Sequence, residues 1–356
     1  MPLTLRRMFN HSLPKDLPSI LKDKVAGFNS TPRQINKMKT KPLVPPTLLT
    51  LLALLLVTPV IPARAEAKFI KLGMVNYTLC CSYFIGMSNA VQAEAKPYSN
   101  IIVIVTDAKG DGAKLTSDVE DVISKDVTAI IISGGPLEAA PAALEAIKEA
   151  KIPVVLVDRK LKGGDYTSWI GPDNYTIGVQ DGKHIVDRLK GQGRLVVVRG
   201  GPADNTIGLD RTNGMLSEVS KTKIEVITAP EFGGWSEDGG FKIMENMLAK
   251  YGKIDAVFCE NDSMCLGAQK AIGDAKRSDE MFLVGVDGQK EAVLQILNGT
   301  NYAATGLNNS DQIGRAAFHR TMAILAGAQA QKETVLPSPL ITKDNAAKFY
   351  DPNSVF

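Results

Sequence analysis

The feature that most restricts the fold of this chain is the regular alternation of β-branched runs with segments of helical periodicity. The run 101–106 is nearly continuous in β-branched residues, as expected of a strand in a parallel sheet that is covered on both faces. The segment 113–125 that follows has apolar residues at helical spacing. Strands that alternate with helices of about 10–15 residues predict an α/β fold with parallel sheets and helices on both faces.

The alternation runs through the chain twice, and this repetition predicts two α/β lobes. In the first series the predicted strands are 69–75, 101–106, 129–133 and 153–157. In the second series they are 194–199, 224–227, 254–259, 282–286 and 302–305. The tail from Val335 to Phe356 contains three prolines, and we expect it to be extended chain docked on the lobes.

A largely apolar run of 14 residues, 48–61, precedes the first predicted strand. The run is too short to span a bilayer, which requires about 20 apolar residues. Lysines precede it and the small-x-small sequence Ala63-Arg64-Ala65 follows it, which is the pattern of a secretory signal peptide. We therefore expect cleavage after Ala65 and export, with an uncleaved membrane anchor as the alternative.

The region before this run is longer than the charged n-region of an ordinary signal peptide. A start at Met38 would give a signal of ordinary length. We therefore interpret residues 1–37 as an artefact of start-codon choice, and their mixed polar content predicts no stable structure.

The net charge of the leader, residues 1–65, differs in sign from that of the rest of the chain. The whole chain has a net charge of +3, but residues 1–65 hold ten Lys/Arg and two Asp/Glu, a balance of +8. The remainder holds 31 basic and 36 acidic residues, a net charge of −5. The exported part therefore gives no electrostatic basis for binding nucleic acid or an anionic membrane surface.

Cysteine and histidine are too few and too scattered to predict a metal site. The chain has three histidines, and its four cysteines are Cys80, Cys81, Cys259 and Cys265, with no C-x-x-C among them. Cys80 and Cys81 are adjacent and cannot easily pair with each other, so we expect free, buried thiols. Oxidation after export is the alternative.

Motifs that would indicate an enzyme are absent from the sequence. No G-x-G-x-x-G follows the first predicted strand, and neither G-x-x-x-x-G-K-[ST] nor G-x-S-x-G occurs anywhere. The sequence therefore predicts no catalytic residues and no cofactor.

Polar and aromatic residues follow many of the predicted strands at the point where each strand ends. Ligands of open parallel sheets bind beyond the carboxyl ends of the strands, so these residues are candidates for a binding site. They are Tyr83-Phe84, Asp158-Arg159, Arg211, Trp235, Glu260-Asn261-Asp262 and Asp287-Gly288.

This combination suits a neutral polyhydroxylated ligand, because guanidinium and carboxylate groups can each hold two vicinal hydroxyls and aromatic faces can cover a sugar ring. Each residue also has a structural alternative. We expect Asp262 to cap the next helix rather than contact a ligand. Asp158 and Arg159 could form only an ion pair, and Tyr83 and Phe84 could belong to the core of a lobe.

Six motifs in this order resemble the type I periplasmic sugar-binding proteins of ABC importers, especially the ribose-binding branch. The resemblance covers roughly residues 69–345. The motifs are 152–159 (IPVVLVDR), 170–174 (IGPDN), 210–215 (DRTNGM), 257–268 (VFCENDSMCLGA), 284–288 (VGVDG) and 311–314 (DQIG).

The resemblance implies two Rossmann-like lobes with parallel sheets, joined by a three-strand hinge near Gly171-Pro172, Asn308 and Pro337. The first lobe would comprise residues 66–172 plus 309–337 and the second residues 173–308 plus 338–356. It also implies a monomer that delivers a carbohydrate to a membrane permease by lobe closure, without binding nucleic acid. A ligand carrier for chemoreception or signal-molecule uptake is the alternative.

The resemblance also implies the sugar contacts, which transfer by position. The implied ligand-binding residues are Tyr83, Phe84, Asp158, Arg159, Arg211, Trp235, Asn261, Asp287 and Asn308. Three departures concern the ligand: Cys81 stands where ribose binders have Asn, Asn308 where they commonly have Gln, and Trp235 where Phe is usual. We therefore expect a hydroxyl pattern that differs from that of ribose.

Overall fold

The computed structural model describes residues 69–133, 135, 137, 140–161, 166–202 and 206–356. The predicted leader, signal peptide and cleavage site lie outside these residues. Within the described part of the chain, no helix combines the length and the apolar character needed to cross a bilayer.

The first lobe is built on a six-stranded sheet in which every pair of neighbouring strands is parallel. The strands are β1 (Ile70–Asn76), β2 (Ile101–Asp107), β3 (Ala129–Ser133), β4 (Val154–Val157), β5 (Ser168–Gly171) and β11 (Glu333–Val335). Their order across the sheet is β11-β5-β4-β3-β1-β2. The helices of this lobe are α1 (Ser82–Ala95), α2 (Gly112–Ser124), α3 (Pro141–Ala150) and α9 (Ser310–Leu325). Separate apolar clusters form its core, one beneath α1 and α9 and one beneath α2 and α3.

The second lobe repeats this architecture. Its strands are β6 (Gln192–Arg199), β7 (Lys223–Phe232), β8 (Ala256–Cys259), β9 (Phe282–Asp287), β10 (Tyr302–Leu307) and β12 (Leu340–Thr342). They are arranged in the order β12-β10-β9-β8-β6-β7, and β12 is antiparallel to β10. The helices are α4 (Asn174–Leu189), α5 (Thr206–Val219), α6 (Glu237–Lys250), α7 (Asp262–Asp274) and α8 (Lys290–Leu297), with a 3-10 helix at Ala346–Lys348.

The sequence explains why these elements form. The central strands β3, β4, β8 and β9 are buried along their whole length, as continuous apolar strands in covered parallel sheets should be. Several helices begin at a side chain that accepts a free backbone N–H. For example, Asp111 accepts from Lys114 N at 2.7 Å and Asn309 accepts from Gln312 N at 2.8 Å. The prediction of an α/β fold with parallel sheets is confirmed.

Within residues 69–356, as far as they are described, the chain passes between the two sheets three times: from β5 to α4, from β10 to α9, and from β11 to β12. The sequence pattern missed β5, β11 and β12, because strands of three or four residues are too short to show a period. The tail is extended at the end of β11 and in β12, as predicted, but it departs from extended chain at the 3-10 helix Ala346–Lys348.

The expectation of free, buried thiols is correct only in part. Cys80 and Cys81 are free, but Cys80 is exposed and Cys81 only partly buried, and Cys259 and Cys265 form a disulfide. Cys259 ends β8 and α7 begins three residues later, so the first turn of the helix returns over the strand end. The two Cα atoms are consequently 5.4 Å apart, which is within the usual range for a disulfide.

Candidate ligand-binding site

Most of the predicted site residues lie at the carboxyl ends of the strands in the two sheets. In the first lobe Tyr83 and Phe84 lie in the first turn of α1, and Asp158 and Arg159 follow β4 directly. In the second lobe Trp235 lies between β7 and α6, Asn261 follows β8, Asp287 ends β9 and Arg211 lies within α5. Asn308 follows β10 at the second crossing between the sheets.

Arg211 is the centre of the site in the second lobe. Its side chain is 3% exposed, and its Nη2 atom lies 2.9 Å from Oδ1 of Asp287. Nε donates to Oδ1 of Asn174 at 2.8 Å, and Nη1 donates to the carbonyl of Glu260 at 2.6 Å. Three partners therefore fix the plane of the guanidinium before any ligand arrives, which is the preorganisation that recognition of hydroxyl groups requires.

Two residues of the first lobe, Tyr83 and Trp169, hydrogen-bond Asp158. The hydroxyl of Tyr83 donates to its Oδ1 at 2.7 Å, and the indole N–H of Trp169 donates to its carbonyl at 3.2 Å. Burial raises the pKa of the Asp158 carboxyl, although the hydrogen bond from Tyr83 and the charge of Arg211 oppose the rise. The carboxylate of one lobe therefore interacts with the guanidinium of the other.

Asn308 connects the two carboxylates. Its Nδ2 donates to Oδ1 of Asp287 at 3.3 Å, and its side chain also hydrogen-bonds Asp158. Its own Oδ1 is buried and has no hydrogen-bond partner among the residues that the structure describes. Burial raises the pKa of Asp287 to about 6, against the opposing charge of Arg211. The group thus offers carboxylate and amide oxygens as acceptors for hydroxyl groups.

Three of the predicted residues have a positive φ, which non-glycine residues seldom adopt. The values are 64° for Asp158, 61° for Trp235 and 125° for Asp287. Strain of this kind is concentrated at functional sites, where the surrounding structure over-determines the backbone. Nothing in the sequence pattern indicates these conformations, so the strain is an independent structural signal for the same positions.

Trp235 lies flat against a glycine-lined surface. A Cβ atom added to Gly200 would lie 2.4 Å from the indole ring, and one added to Gly208 would lie 3.0 Å from it. Its carbonyl accepts from Nδ2 of Asn261 at 3.2 Å. The glycines therefore give the large ring room to lie against the backbone, which leaves its other side available for stacking.

The prediction that Asp262 caps α7 is wrong, because Asn261 is the cap and accepts from Met264 N at 3.0 Å. Asp262 is instead fully buried beneath the site. Its carboxylate accepts from the hydroxyl of Tyr302 at 2.7 Å, from Thr305 Oγ1 at 2.8 Å and from Gly288 N at 2.8 Å. Burial raises its pKa to about 7.

The structure thus brings Tyr83, Asp158, Arg211, Asp287 and Asn308 into one interacting group, with Asn261 and Trp235 in contact with each other beside it. Phe84 packs edge-on against Tyr83, with the ring centroids 5.2 Å apart, and contributes to the core. Arg159 is half-buried next to Asp158 and lowers the pKa of that carboxyl.

Two further residues position Arg211: Asn174, which was not predicted as a site residue, and Glu260, which was a strand-end candidate but was not assigned a ligand contact. Asn174 accepts from Nε of Arg211, and the Glu260 carbonyl accepts from Nη1. The Glu260 carboxylate, in turn, accepts from Gly200 N at 2.7 Å and from the hydroxyl of Thr212 at 2.6 Å. Both residues lie within the motifs that suggested the family, and this was the signal that could have identified them.

Cys80 and Cys81 lie immediately before the aromatic pair. The hydrogen bond from the thiol of Cys81 lowers the pKa of Cys80 to about 6, and the same contact raises the pKa of Cys81. We expect iodoacetamide to alkylate Cys80 with a half-maximal rate near pH 6 and faster than Cys81 at every pH, because the thiolate is the nucleophile. Mass spectrometry of the alkylated peptides measures both rates.

The control for this experiment is Cys81→Ala, which removes the donor. The half-maximal rate should then move toward about pH 8.5, the usual pKa of a cysteine. A half-maximal rate near pH 8.5 in both proteins would contradict the thiol–thiol contact.

This fold and site define a class of two-lobed binding proteins, and the comparisons identify it. Residues 72–329 match the family described as periplasmic binding protein domain. The match covers more than half of the chain, so the chain belongs to this family.

Individual relatives agree with this assignment. The chain is 30% identical over 276 residues to the ribose import binding protein of Bacillus subtilis, covering 78% of this chain and 88% of that protein. It is 28% identical to an ABC transporter solute-binding protein of Mycobacterium smegmatis solved with bound glycerol, with a TM-score of 0.75 over 81% of this chain and 99% of that one. The fructose-binding periplasmic domain of a hybrid two-component system is 30% identical, with a TM-score of 0.71 over 78% of this chain and 92% of that domain.

Proposed function

We propose that this protein is the substrate-binding component of an ABC importer and captures a sugar or sugar-like polyol between its two lobes. The observation that carries the proposal is the buried group of Asp158, Arg211, Asp287 and Asn308, which offers preorganised acceptors and a guanidinium from both lobes at once. The ribose import binding protein among its relatives supports the same ligand class.

The site residues that we assign to the ligand are those that the sequence indicated. Asp158, Asp287 and Asn308 accept hydroxyl hydrogens, Arg159 and Arg211 donate to hydroxyl oxygens, Asn261 can donate or accept, and the aromatic rings cover the apolar face of the sugar. The aromatic residues are Tyr83, Phe84 and Trp235. The site binds and releases its ligand without catalysis or cofactor, and the protein acts as a monomer in the periplasm after cleavage behind Ala65.

The two lobes, 66–172 plus 309–337 and 173–308 plus 338–356, close around the ligand by rotation about the three crossings. Each lobe supplies part of the contacts, so the ligand binds the closed form more tightly and shifts the population toward it. A permease in the membrane then receives the ligand.

A second candidate function is ligand sensing. It is favoured by the similarity to the fructose-binding domain of a two-component system, which has a comparable TM-score and identity. The two functions share the ligand site and differ in the partner of the closed form.

A thermal-shift screen of pentoses, hexoses and polyols tests the ligand class. A ligand at 100 times its Kd adds about 2.7 kcal/mol to the free energy of unfolding, which gives a clear rise in melting temperature. We expect at least one sugar or polyol to do so, and no shift with any of them would contradict the proposal. Uptake of the labelled ligand by cells with and without the gene then separates import from sensing.

A further inference from the structure

A segment near the end of the sequence is anchored on the second lobe. Phe349 and Tyr350 pack against the core of that lobe, next to the buried 3-10 helix residue Ala346. A few residues further on, the ammonium of Lys290 donates to the carbonyl of Ser354 at 2.6 Å. Lys290 is the first residue of α8, just after Asp287 and the site edge of the sheet.

The same segment reaches the first lobe at Phe356. This ring packs edge-on against the ring of Tyr83, with centroids 5.2 Å apart and planes at 81°. Phe356 also contacts the apolar cluster beneath α1, and a Cβ atom added to Gly86 would lie 3.4 Å from it. Residues 351–356 thus run from the beginning of α8 to the beginning of α1, in addition to the three covalent crossings.

Local hydrogen bonds give this segment a defined conformation. Ser354 N donates to the carbonyl of Asp351 at 3.1 Å, and Asn353 N donates to Oδ1 of Asp351 at 2.9 Å. Phe356 N donates to Oγ of Ser354 at 3.1 Å. Because the backbone is already constrained, less conformational entropy is lost when the segment bridges the lobes.

We propose that residues 351–356 form a strap that favours the closed arrangement of the lobes and positions Tyr83 in the binding site. The inference rests on the lobe closure of the proposed function. Rotation about the crossings would separate α8 from α1, and the strap would then have to leave either Lys290 or Tyr83. Contacts that exist only in the closed form shift the population toward it, and apparent ligand affinity rises accordingly.

The strap also acts on the site through one side chain. The hydroxyl of Tyr83 donates to Asp158, and its ring is held between Phe84 and Phe356. Loss of the Phe356 ring would remove one of these supports, so Tyr83 would orient the Asp158 carboxylate less well. Phe356 is therefore a positioning residue.

Single-molecule energy transfer in the protein without ligand tests the strap directly. Dyes attached through azide-bearing amino acids at Lys96 and Lys276, which are exposed on different lobes, leave the native cysteines untouched. We expect Phe356→Ala and Lys290→Met each to lower the closed fraction and to raise the Kd for a probe, D-ribose, by about 2- to 10-fold. The matched control is Val355→Ala, because this strap residue is 49% exposed.

The double variant distinguishes a strap from two separate effects. If both residues act through the same segment, the fold increase in the Kd of the double variant should be smaller than the product of the fold increases in the two single variants. If the distribution of distances between the two dyes is the same in wild type and in both variants, the strap proposal is wrong, even if D-ribose binds. An equal shift with Val355→Ala would overturn it as well. A lower closed fraction in proteins that bind no sugar would support the strap and contradict the proposed ligand class.

Discussion

Replacement of Arg211 by alanine is expected to lower the affinity for the sugar or polyol by roughly a hundredfold or more. Each hydrogen bond lost to a buried hydroxyl costs about 1–3 kcal/mol, and a guanidinium makes two such bonds. The variant also removes the guanidinium donor from Asp287, Asn174 and the Glu260 carbonyl. The two carboxylates Asp158 and Asp287 would then repel each other without a compensating charge.

Calorimetric titration of the folded Arg211→Ala protein measures this loss. The matched control is Arg277→Ala, because Arg277 donates to the carbonyls of Leu248, Tyr251 and Gly252 and pairs with Glu280, remote from the site. Both variants should lower the melting temperature, since both remove buried or half-buried hydrogen bonds, but only Arg211→Ala should change affinity. Wild-type affinity in the Arg211 variant would contradict the assignment of the site.

The architecture could be predicted from the sequence because the strand pattern and the helix pattern are both strong. Continuous β-branched strands and helices with one apolar face recur at regular spacing, and β3 lies at the predicted residues 129–133. The short strands escaped prediction because their pairing is non-local. β11, for example, is a strand only because Glu333–Val335 lies beside β5, where Trp169 N donates to the carbonyl of Lys332.

The positions of the site residues followed from the rule that ligands bind beyond the ends of parallel strands. The hydrogen-bond partners of these residues could not be predicted, because they depend on distances in the folded protein. Asn261 and Asp262 are adjacent and chemically similar, yet the first caps α7 and the second binds Tyr302 and Thr305 of β10. The positive φ of Asp158 and Asp287 was equally inaccessible, because neither residue is a glycine.

Asp181, a buried acid behind the ligand-binding site, is expected to make the stability of the protein depend strongly on pH. Asp181 of α4 is fully buried, and neither of its carboxylate oxygens has a hydrogen-bond partner in the described part of the chain. It faces β10, where a Cβ atom added to Gly306 would lie 3.3 Å from its Oδ2. Burial raises the pKa of Asp181 well above its usual value, and the charge of Asp262 raises it further.

The sign of the resulting pH dependence follows from proton linkage. The folded protein holds the Asp181 proton more tightly than the unfolded chain, whose aspartates have a pKa of about 3.9. The stabilising contribution is therefore complete below about pH 4 and is lost as the pH rises toward the pKa of the folded state. Within this window Asp181 costs about 1.4 kcal/mol of unfolding free energy for each pH unit. Asp262, with a folded pKa of about 7, contributes a slope of the same sign.

We therefore expect Asp181→Asn and Asp181→Ala to be more stable than wild type at pH 8 and to lose most of this advantage at pH 5. The pH-dependent gain in both variants should be about 1.4 kcal/mol for each pH unit between about pH 4 and the pKa of the folded state, because neither variant has to bind this proton. Asp181→Ala also removes the unpaired polar group, a gain that does not depend on pH. Urea unfolding at pH 5, 6.5 and 8 measures the difference. Asp173→Asn is the control for a change of net charge, since Asp173 caps α4 at an exposed position and asparagine can also cap a helix. Loss of stability in both Asp181 variants by the same amount at every pH would show that the carboxyl is ionised and paired, contrary to the burial that we infer from the structure.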